Sequence, residues 1–276
     1  MTLSRHIQIL KAGIAVSAAV LAGIVAVSWQ ILPFFPDIVQ SAKNRSEFSY
    51  FAGLLLFPPA PYAAYISVLI ALLFALAMFI TVFYLFEKTQ SIEVHFFIFF
   101  IFSFIFEVMR LGIPLYLKFN LPGLLLGFSA RALVFFRFFG MFSLFAASLF
   151  AAGLTIEKEE HIIFPLVIIT LFLSSCVPIN TFTYDTSLFL ANGYPIAFRA
   201  MGYLVALLTT LSFFYGAWRK GAKEYYFVGI GALLAFLGRN ILLEADIYLL
   251  AAVGAVSLAV GAYFICKYLR RIYLWT

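Results

Sequence analysis

The sequence predicts an all-α protein: a polytopic transmembrane bundle of eight helices that forms a single integral membrane domain over residues 1–276. Two observations lead to this prediction. Hydrophobic residues make up 65% of the chain and charged residues only 11%, whereas a soluble domain carries roughly 25% charged residues. The apolar residues also occur in runs of about 20, the length that crosses the hydrocarbon core of a bilayer. The bilayer is therefore the expected surroundings of nearly the whole chain.

The apolar runs predict one leading helix followed by seven closely connected helices. The leading run begins after Lys11 and is longer than the 7–15 residues, roughly, of a signal-peptide core, so we expect an uncleaved helix. The eight predicted helices cover residues 12–32, 62–86, 95–117, 131–154, 162–179, 196–218, 225–243 and 247–269.

Three longer connections separate these helices, at residues 36–61, 118–130 and 180–195. Each is rich in proline, glycine, asparagine or charged residues, the composition of loops. The apolar stretch 51–57 inside the first connection is expected at the membrane interface. Glycines in the last two predicted helices predict close helix packing there. These glycines are Gly229, Gly231, Gly238, Gly254 and Gly261.

The basic residues predict the orientation of the bundle. In an eight-helix arrangement ten of them fall on one side, and only three lie clear of the helices on the other. The ten are Arg5, Lys11, Lys88, Lys158, Arg219, Lys220, Lys223, Lys267, Arg270 and Arg271. The positive-inside rule places this side in the cytoplasm. We therefore expect both termini in the cytoplasm and the protein in the cell membrane, plasma or bacterial inner. The net charge of +6 follows this bias, so no nucleic-acid partner is predicted.

The sequence predicts no catalytic residue, no metal site and no cofactor, which argues against an enzyme. Its histidines, His6, His95 and His161, all fall on the predicted cytoplasmic side, so none could activate Cys176 at the outer end of its helix. Histidine and acidic residues lack the spacing of a zinc site. Cys176 and Cys266 lie in separate apolar runs, which does not suggest a disulfide framework.

Ionisable residues inside apolar helices are the strongest functional signal, because such groups turn inward and find a partner or a role. They are Glu107, Arg110, Arg137, Arg199 and Arg239, with Asn240 beside the last of them. Counted from the cytoplasmic edge at ~1.5 Å per residue, Arg110 and Arg239 lie about 22 Å into a core about 30 Å thick. Arg137 and Arg199 come out near the outer boundary. These six residues are the predicted ligand-binding site.

Two interpretations of these charges remain open at the sequence level. The first interpretation is structural. Glu107 and Arg110 are three residues apart and share a helix face, so they could form a simple intrahelical ion pair. With the outer charged residues included, a self-satisfied network could account for all the charges, and the outer arginines could snorkel. The other interpretation is an outward-facing pocket, because Glu107 balances only one of Arg110, Arg137 and Arg239. Arginine's planar fork suits carboxylates and phosphates, so an anionic small molecule or a lipid head group would neutralise the excess.

Three classes of function fit this pattern. The first is a receptor-like or sensory membrane module with the arginine-rich pocket as its ligand site. The alternatives are a transporter, or transport-complex subunit, for an anionic or lipid-linked solute, and a membrane enzyme that acts on lipid head groups. Because the polar residues stop before the inner half of the bundle, we favour the receptor. Its predicted cytoplasmic connections are only a few residues long, so a protein partner is expected to carry the output.

The predicted topology can be tested with reporter fusions. Fusions at Lys88, Lys158 and Lys220 should report the cytoplasm, and fusions at Asn44 and Asp185 should report the exterior, because of the ten-cation bias. Reporter enzymes that are active on only one side of the membrane measure this directly. An exterior signal at Lys220 would contradict the eight-helix topology.

Overall fold

The computed structural model describes residues 3–45, 59–86, 91–154 and 160–274. It is an all-α bundle with one short hairpin. Its α-helices are α1 (Leu3–Ile31), α2 (Phe35–Arg45), α3 (Ala63–Phe86), α4 (Ile92–Ser103), α5 (Gly112–Phe119), α6 (Gly123–Ala151), α7 (Glu160–Cys176), α8 (Pro195–Lys220), α9 (Glu224–Leu243) and α10 (Tyr248–Leu274). The hairpin strands are β1 (Ile179–Tyr184) and β2 (Leu190–Asn192).

These elements make eight helical segments, as the sequence predicts. Helices α1 and α2 run on through one 3-10 turn, Leu32–Phe34, and α4 and α5 run on through a longer one, Phe104–Leu111. Seven segments are long and apolar enough to cross a membrane. The eighth, α7, is apolar but has only 17 residues. The chain is therefore a multi-pass membrane protein.

The first predicted connection is partly helical. Residues 36–45 belong to α2, so the helix continues past the predicted boundary at residue 32. Pro33 and Pro36 allow this, because each stands in the first turn of a helical segment, where the missing N–H leaves no bond unmade. Residues 51–57, expected at the interface, lie outside the described residues.

The predicted loop at residues 118–130 is mostly wrong. Helix α6 begins at Gly123 rather than at residue 131, and the turn before it needs only a few residues. Asn120 closes α5 in the left-handed conformation, with φ +48°, which asparagine tolerates better than most residues. Pro122 then precedes the first turn of α6. Arg137 consequently lies at the midpoint of α6 and not near the end of its helix.

The third predicted connection folds into the β1–β2 hairpin. Its strands pair antiparallel, with Ile179 opposite Asn192 and Tyr184 opposite Leu190. The tip is closed by hydrogen bonds from the Asp185 N–H to the Phe189 carbonyl and from the Leu188 N–H to the Asp185 carbonyl. Leu188 has a φ of +58° and is buried, so the tip packs into the bundle.

The chain connectivity gives the bundle two ends. The hairpin end holds β1, β2 and the turn between α9 and α10, and the Ala60 N–H donates to the Asp246 carbonyl there. The terminal end holds the start of α4 and the C-terminal end of α10. Between them lies a layer of phenylalanines that are at most 1% exposed, namely Phe96, Phe97, Phe100, Phe104 and Phe236. This layer is the centre of the hydrophobic core.

Helices α9 and α10 approach closely through glycines, as their sequences predict. A Cβ on Gly238 would lie 2.8 Å from both the Gly254 carbonyl oxygen and the Leu258 Cα. A Cβ on Gly261 would lie 2.6 Å from the Gly231 carbonyl oxygen. These obstacles are backbone atoms, which cannot turn aside as a side chain can. The two helices therefore form a tightly packed pair.

Gly238→Ala is expected to lower the thermal stability of the purified protein, because the added methyl forces α9 and α10 apart. Overpacking of this kind typically costs about 1–3 kcal/mol. Gly23→Ala is the matched control, since no atom lies within 4 Å of a Cβ at Gly23 and alanine favours a helix interior by roughly 0.5–1 kcal/mol. Equal melting temperatures for the two variants in detergent would contradict the close α9–α10 contact.

Candidate functional site: a buried arginine cluster

Four charged residues meet inside the bundle toward the hairpin end. They are Glu107, Arg110, Arg137 and Arg239, and together they are called the arginine cluster. Glu107 and Arg110 come from the 3-10 turn after α4, Arg137 from α6 and Arg239 from α9. Glu107 and Arg110 are each 1% exposed and Arg239 is 2% exposed. Such depth makes every hydrogen bond of these groups energetically important.

Glu107 forms a two-pronged ion pair with Arg137. The Arg137 Nε donates to Glu107 Oε1 at 2.9 Å, and Nη2 donates to Oε2 at 2.8 Å. This is the parallel fork geometry that makes arginine–carboxylate pairs strong and directional. The simple intrahelical pair between Glu107 and Arg110 is therefore not what forms, since the carboxylate turns toward α6.

Arg110 is held instead by the hairpin and by α3. Its Nε donates to the Ser187 carbonyl at 2.9 Å, and Nη2 donates to the same oxygen. Its Nη1 donates to the Ser67 hydroxyl at 3.0 Å. Every acceptor of Arg110 is thus uncharged.

Arg239 has the least complete set of partners. Its Nη2 donates to the Arg137 carbonyl at 3.0 Å, while Nε and Nη1 are buried without a hydrogen-bond acceptor among the described residues. Its guanidinium carbon lies 5.7 Å from the ring centroid of Phe100 and 5.5 Å from that of Phe104. The rings attract the guanidinium by a cation–π interaction, but they do not supply the oxygen acceptors that Nε and Nη1 lack.

Gly140 makes room for this arrangement. A Cβ at Gly140 would collide with the Ser103 side chain and would lie 3.4 Å from Arg239 Nη1. Only a residue without a side chain lets α6 approach both α4 and the guanidinium so closely. A glycine one turn after Arg137 is thus part of the site.

The hairpin covers the arginine cluster. Besides the Ser187 carbonyl, it contributes Phe189, whose ring centroid lies 4.4 Å from the guanidinium carbon of Arg137. Asp185 at the tip lies near enough to interact electrostatically with Arg110, and its carboxylate accepts from the Thr186 N–H at 2.6 Å. Arg137 keeps 20% of its side chain exposed, so the cluster is not fully sealed.

The charges of the arginine cluster do not balance. One glutamate faces three arginines, which leaves two positive charges in excess, or one when Asp185 is included. Buried charges are normally paired, because transfer from water is expensive. The arginine cluster therefore carries an excess of positive charge.

Two predicted site residues lie apart from the arginine cluster. Arg199 of α8 pairs with Glu244, with Nε 3.3 Å from Oε1, and each side chain is about one-third exposed, at 34% and 32%. Asn240 is half-buried, and its carbonyl accepts from the Glu244 N–H at the end of α9. The structure therefore brings together four of the six predicted residues. Arg137, expected near the outer boundary, lies level with Glu107 because α6 starts earlier than predicted.

Several contributors to the site are absent from the predicted set, among them Ser67, Ser187 and Phe189. The signal for Ser187 was the polar run at residues 185–187, but nothing in the sequence says that this loop turns back into the bundle. Ser67 is one of several serines in apolar helices, and like most of the others its hydroxyl donates to a carbonyl of its own helix. Only the fold distinguishes it from them.

A second buried polar cluster at the terminal end was also missed. Glu93, 7% exposed, accepts from the Tyr225 hydroxyl at 3.4 Å and from the Tyr273 hydroxyl. The Ser91 hydroxyl donates to it at 3.0 Å. Glu93 thus faces inward and joins the end of α10 to α4 and α9.

Comparison with known proteins gives no relative. No protein-family model, curated protein or solved structure matches the chain. Across residues 3–45, 59–86, 91–154 and 160–274, histidine, cysteine and acidic side chains form no group that could hold a metal ion. The chemistry of the arginine cluster is therefore the main guide to function.

Glu107→Gln should destabilise the protein strongly, since it removes the buried carboxylate that pairs with the half-buried Arg137. Breaking a buried pair typically costs about 3–5 kcal/mol. Glu244→Gln is the matched control, because the exposed pair that it breaks contributes at most about 1 kcal/mol. Thermal unfolding in detergent measures both. If the Glu107→Gln and Glu244→Gln variants have the same melting temperature, the Glu107–Arg137 ion pair contributes little to stability.

Proposed function

We propose that this chain is a receptor-like membrane module and that the arginine cluster binds an anionic ligand from the hairpin end. The observation that carries the proposal is Arg239, a guanidinium 2% exposed whose Nε and Nη1 find no acceptor among the described residues. A carboxylate or phosphate oxygen is the natural complement of two such donors. The same ligand would neutralise the excess positive charge.

The hairpin supports a role in signalling. Arg110 donates two hydrogen bonds to the neutral Ser187 carbonyl, and a charged oxygen is an acceptor roughly twice as strong. An anion that reaches Arg110 therefore competes with the hairpin tip for the same donors. Since the hairpin joins α7 to α8, its displacement shifts those two helices. A ligand can shift a conformational equilibrium only by binding one state more tightly than the other. Because the anion and the Ser187 carbonyl compete for Arg110, the anion would bind more tightly when the hairpin tip is displaced.

Two helical segments connect the ligand site with the terminal end. The α4 segment carries Glu93 and, beyond the start of the 3-10 turn, Glu107, while α9 carries Tyr225 and Arg239. Both polar clusters thus share the same segments, roughly 20 Å apart along each. We propose that a rearrangement at the arginine cluster is passed along these segments to a partner protein at the terminal end, which is cytoplasmic in the predicted orientation.

Transport and catalysis have weaker support. A through-pathway would have to cross the buried phenylalanine layer between the two polar clusters. An enzyme would need an available nucleophile or base near the arginine cluster, whereas the Glu107 carboxylate pairs with Arg137 and the Asp185 carboxylate accepts from the Thr186 N–H. The two described histidine side chains, His95 and His161, belong to helices that begin at the terminal end.

The Nε and Nη1 of Arg239, unpaired within the described part of the chain, lead to a test of anion binding. In the wild type, inorganic phosphate, acetate or citrate should raise the melting temperature, with potassium chloride as the ionic-strength control. Binding at a hundred times Kd stabilises by about 2.7 kcal/mol. Arg239→Met should abolish this response and should raise the melting temperature without ligand, because it removes a buried charge whose Nε and Nη1 lack acceptors among the described residues.

Arg199→Gln is the control, since Arg199 forms an exposed ion pair away from the arginine cluster. It should keep the full response to the anion that stabilises the wild type. If Arg239→Met melts earlier than the wild type and no tested anion stabilises either protein, the arginine cluster is a structural network and the proposed function is wrong.

A further inference from the structure

A groove lies between α3 and α10 in the half of the bundle toward the terminal end. Its volume is about 570 Å³, within the range of roughly 300–1,000 Å³ for small-molecule sites. Its walls are apolar, and they include Phe74, Ala77 and Met78 of α3 and Ala259 and Ala262 of α10. The span from Ala259 to Arg271 along α10 is about 18 Å. The groove is therefore long, narrow and parallel to the helices.

Three cations line one end of this groove. They are Lys267, Arg270 and Arg271, in the last turns of α10. Arg270 and Arg271 are exposed and Lys267 is half-buried. None of the three forms an ion pair with a carboxylate among the described residues. The groove thus joins an apolar wall to a concentrated positive charge that no described carboxylate pairs with.

Aromatic residues hold two of these cations in place. The Lys267 Nζ donates to the Tyr263 hydroxyl at 3.1 Å and lies 5.1 Å from the centroid of that ring. The guanidinium carbon of Arg271 lies 5.6 Å from the centroid of Tyr268. Cation–π contacts of this kind restrain a side chain without neutralising it. The positive charge therefore stays available to an anion at the groove.

We propose that this groove binds one anionic phospholipid, with an acyl chain along the apolar wall and its phosphate among Lys267, Arg270 and Arg271. The charge complementarity and the direction of the groove carry the proposal. A phospholipid in a bilayer stands parallel to the helices, with its head group at the level of the helix ends. Basic pockets between transmembrane helices suit such head groups. The site is separate from the arginine cluster and does not depend on the function proposed for it.

Native mass spectrometry tests the preference for charge. The protein is equilibrated with vesicles of equal phosphatidylglycerol and phosphatidylcholine, and the retained lipids are counted. The wild type should retain phosphatidylglycerol preferentially. Each basic residue near an anionic lipid contributes a factor of about five, so Lys267→Gln, Arg270→Gln and Arg271→Gln together should reduce the preference by ~10-fold or more.

The matched control removes the same charge from the same end of the bundle. Arg219→Gln, Lys220→Gln and Lys223→Gln together change three exposed cations that do not line the groove. This variant should keep the wild-type preference. A control that loses as much as the groove variant would mean that only the general surface charge attracts the lipid, and the proposal would fail.

A second variant tests the apolar wall. Ala259 is exposed to the groove, so Ala259→Phe fills it without a change of charge or of core packing. Retention of both lipids should fall at least several-fold, because the acyl chain loses its place. Unchanged retention would place the lipid elsewhere. A dimer mass in the wild type that disappears in Ala259→Phe would identify a second copy of the chain as the occupant, and would also overturn the proposal.

Discussion

A carboxylate and three guanidinium groups held inside an apolar bundle are the constraint on which the rest of this structure depends. Hydrocarbon offers these groups no hydrogen bonds, so the protein must supply the acceptors itself. The 3-10 turn helps to supply these acceptors, because it directs two of the charged side chains toward their partners. Residues three apart eclipse in a 3-10 helix, whereas an α-helix rotates them by about 60°, so Glu107 and Arg110 both point into the bundle. From there, Glu107 reaches α6 and Arg110 reaches α3 and the hairpin.

The same constraint explains the position of the hairpin. A loop at the membrane boundary would normally leave its backbone to water, but here the Ser187 carbonyl turns inward to Arg110. The hairpin is thus a part of the core, attached to it by a charged hydrogen bond and by the ring of Phe189 over Arg137. In contrast, the glycine contacts between α9 and α10 leave little freedom. The arginine cluster therefore lies between a tightly packed helix pair and a hairpin attached by a few polar and aromatic contacts.

The sequence was a good guide wherever hydrophobic length alone decides the structure, and a poor guide where polar groups meet across the chain. The eight segments and the α9–α10 glycine packing follow from local patterns. The hairpin tip and the start of α6 do not, because glycine, proline and asparagine near residue 122 suit a loop as well as a helix start. For the site, charge in an apolar run singled out Glu107, Arg110, Arg137 and Arg239. No local pattern could distinguish Arg199 from the residues of the arginine cluster, because it is also an arginine in an apolar run. In the structure it pairs with Glu244, and both side chains are partly exposed.

The shortness of α7 has a consequence for the lipids around it. Its 17 residues span about 26 Å, less than the roughly 30 Å of a typical hydrocarbon core. Its outward-facing side chains are large and apolar, with Phe164 and Phe172 each more than two-thirds exposed. Hydrophobic mismatch of this kind is relieved by local thinning of the bilayer, at a fraction of a kcal/mol per Å. We therefore expect the membrane to be thinner beside α7, the helix that leads into the hairpin, than beside the seven longer segments.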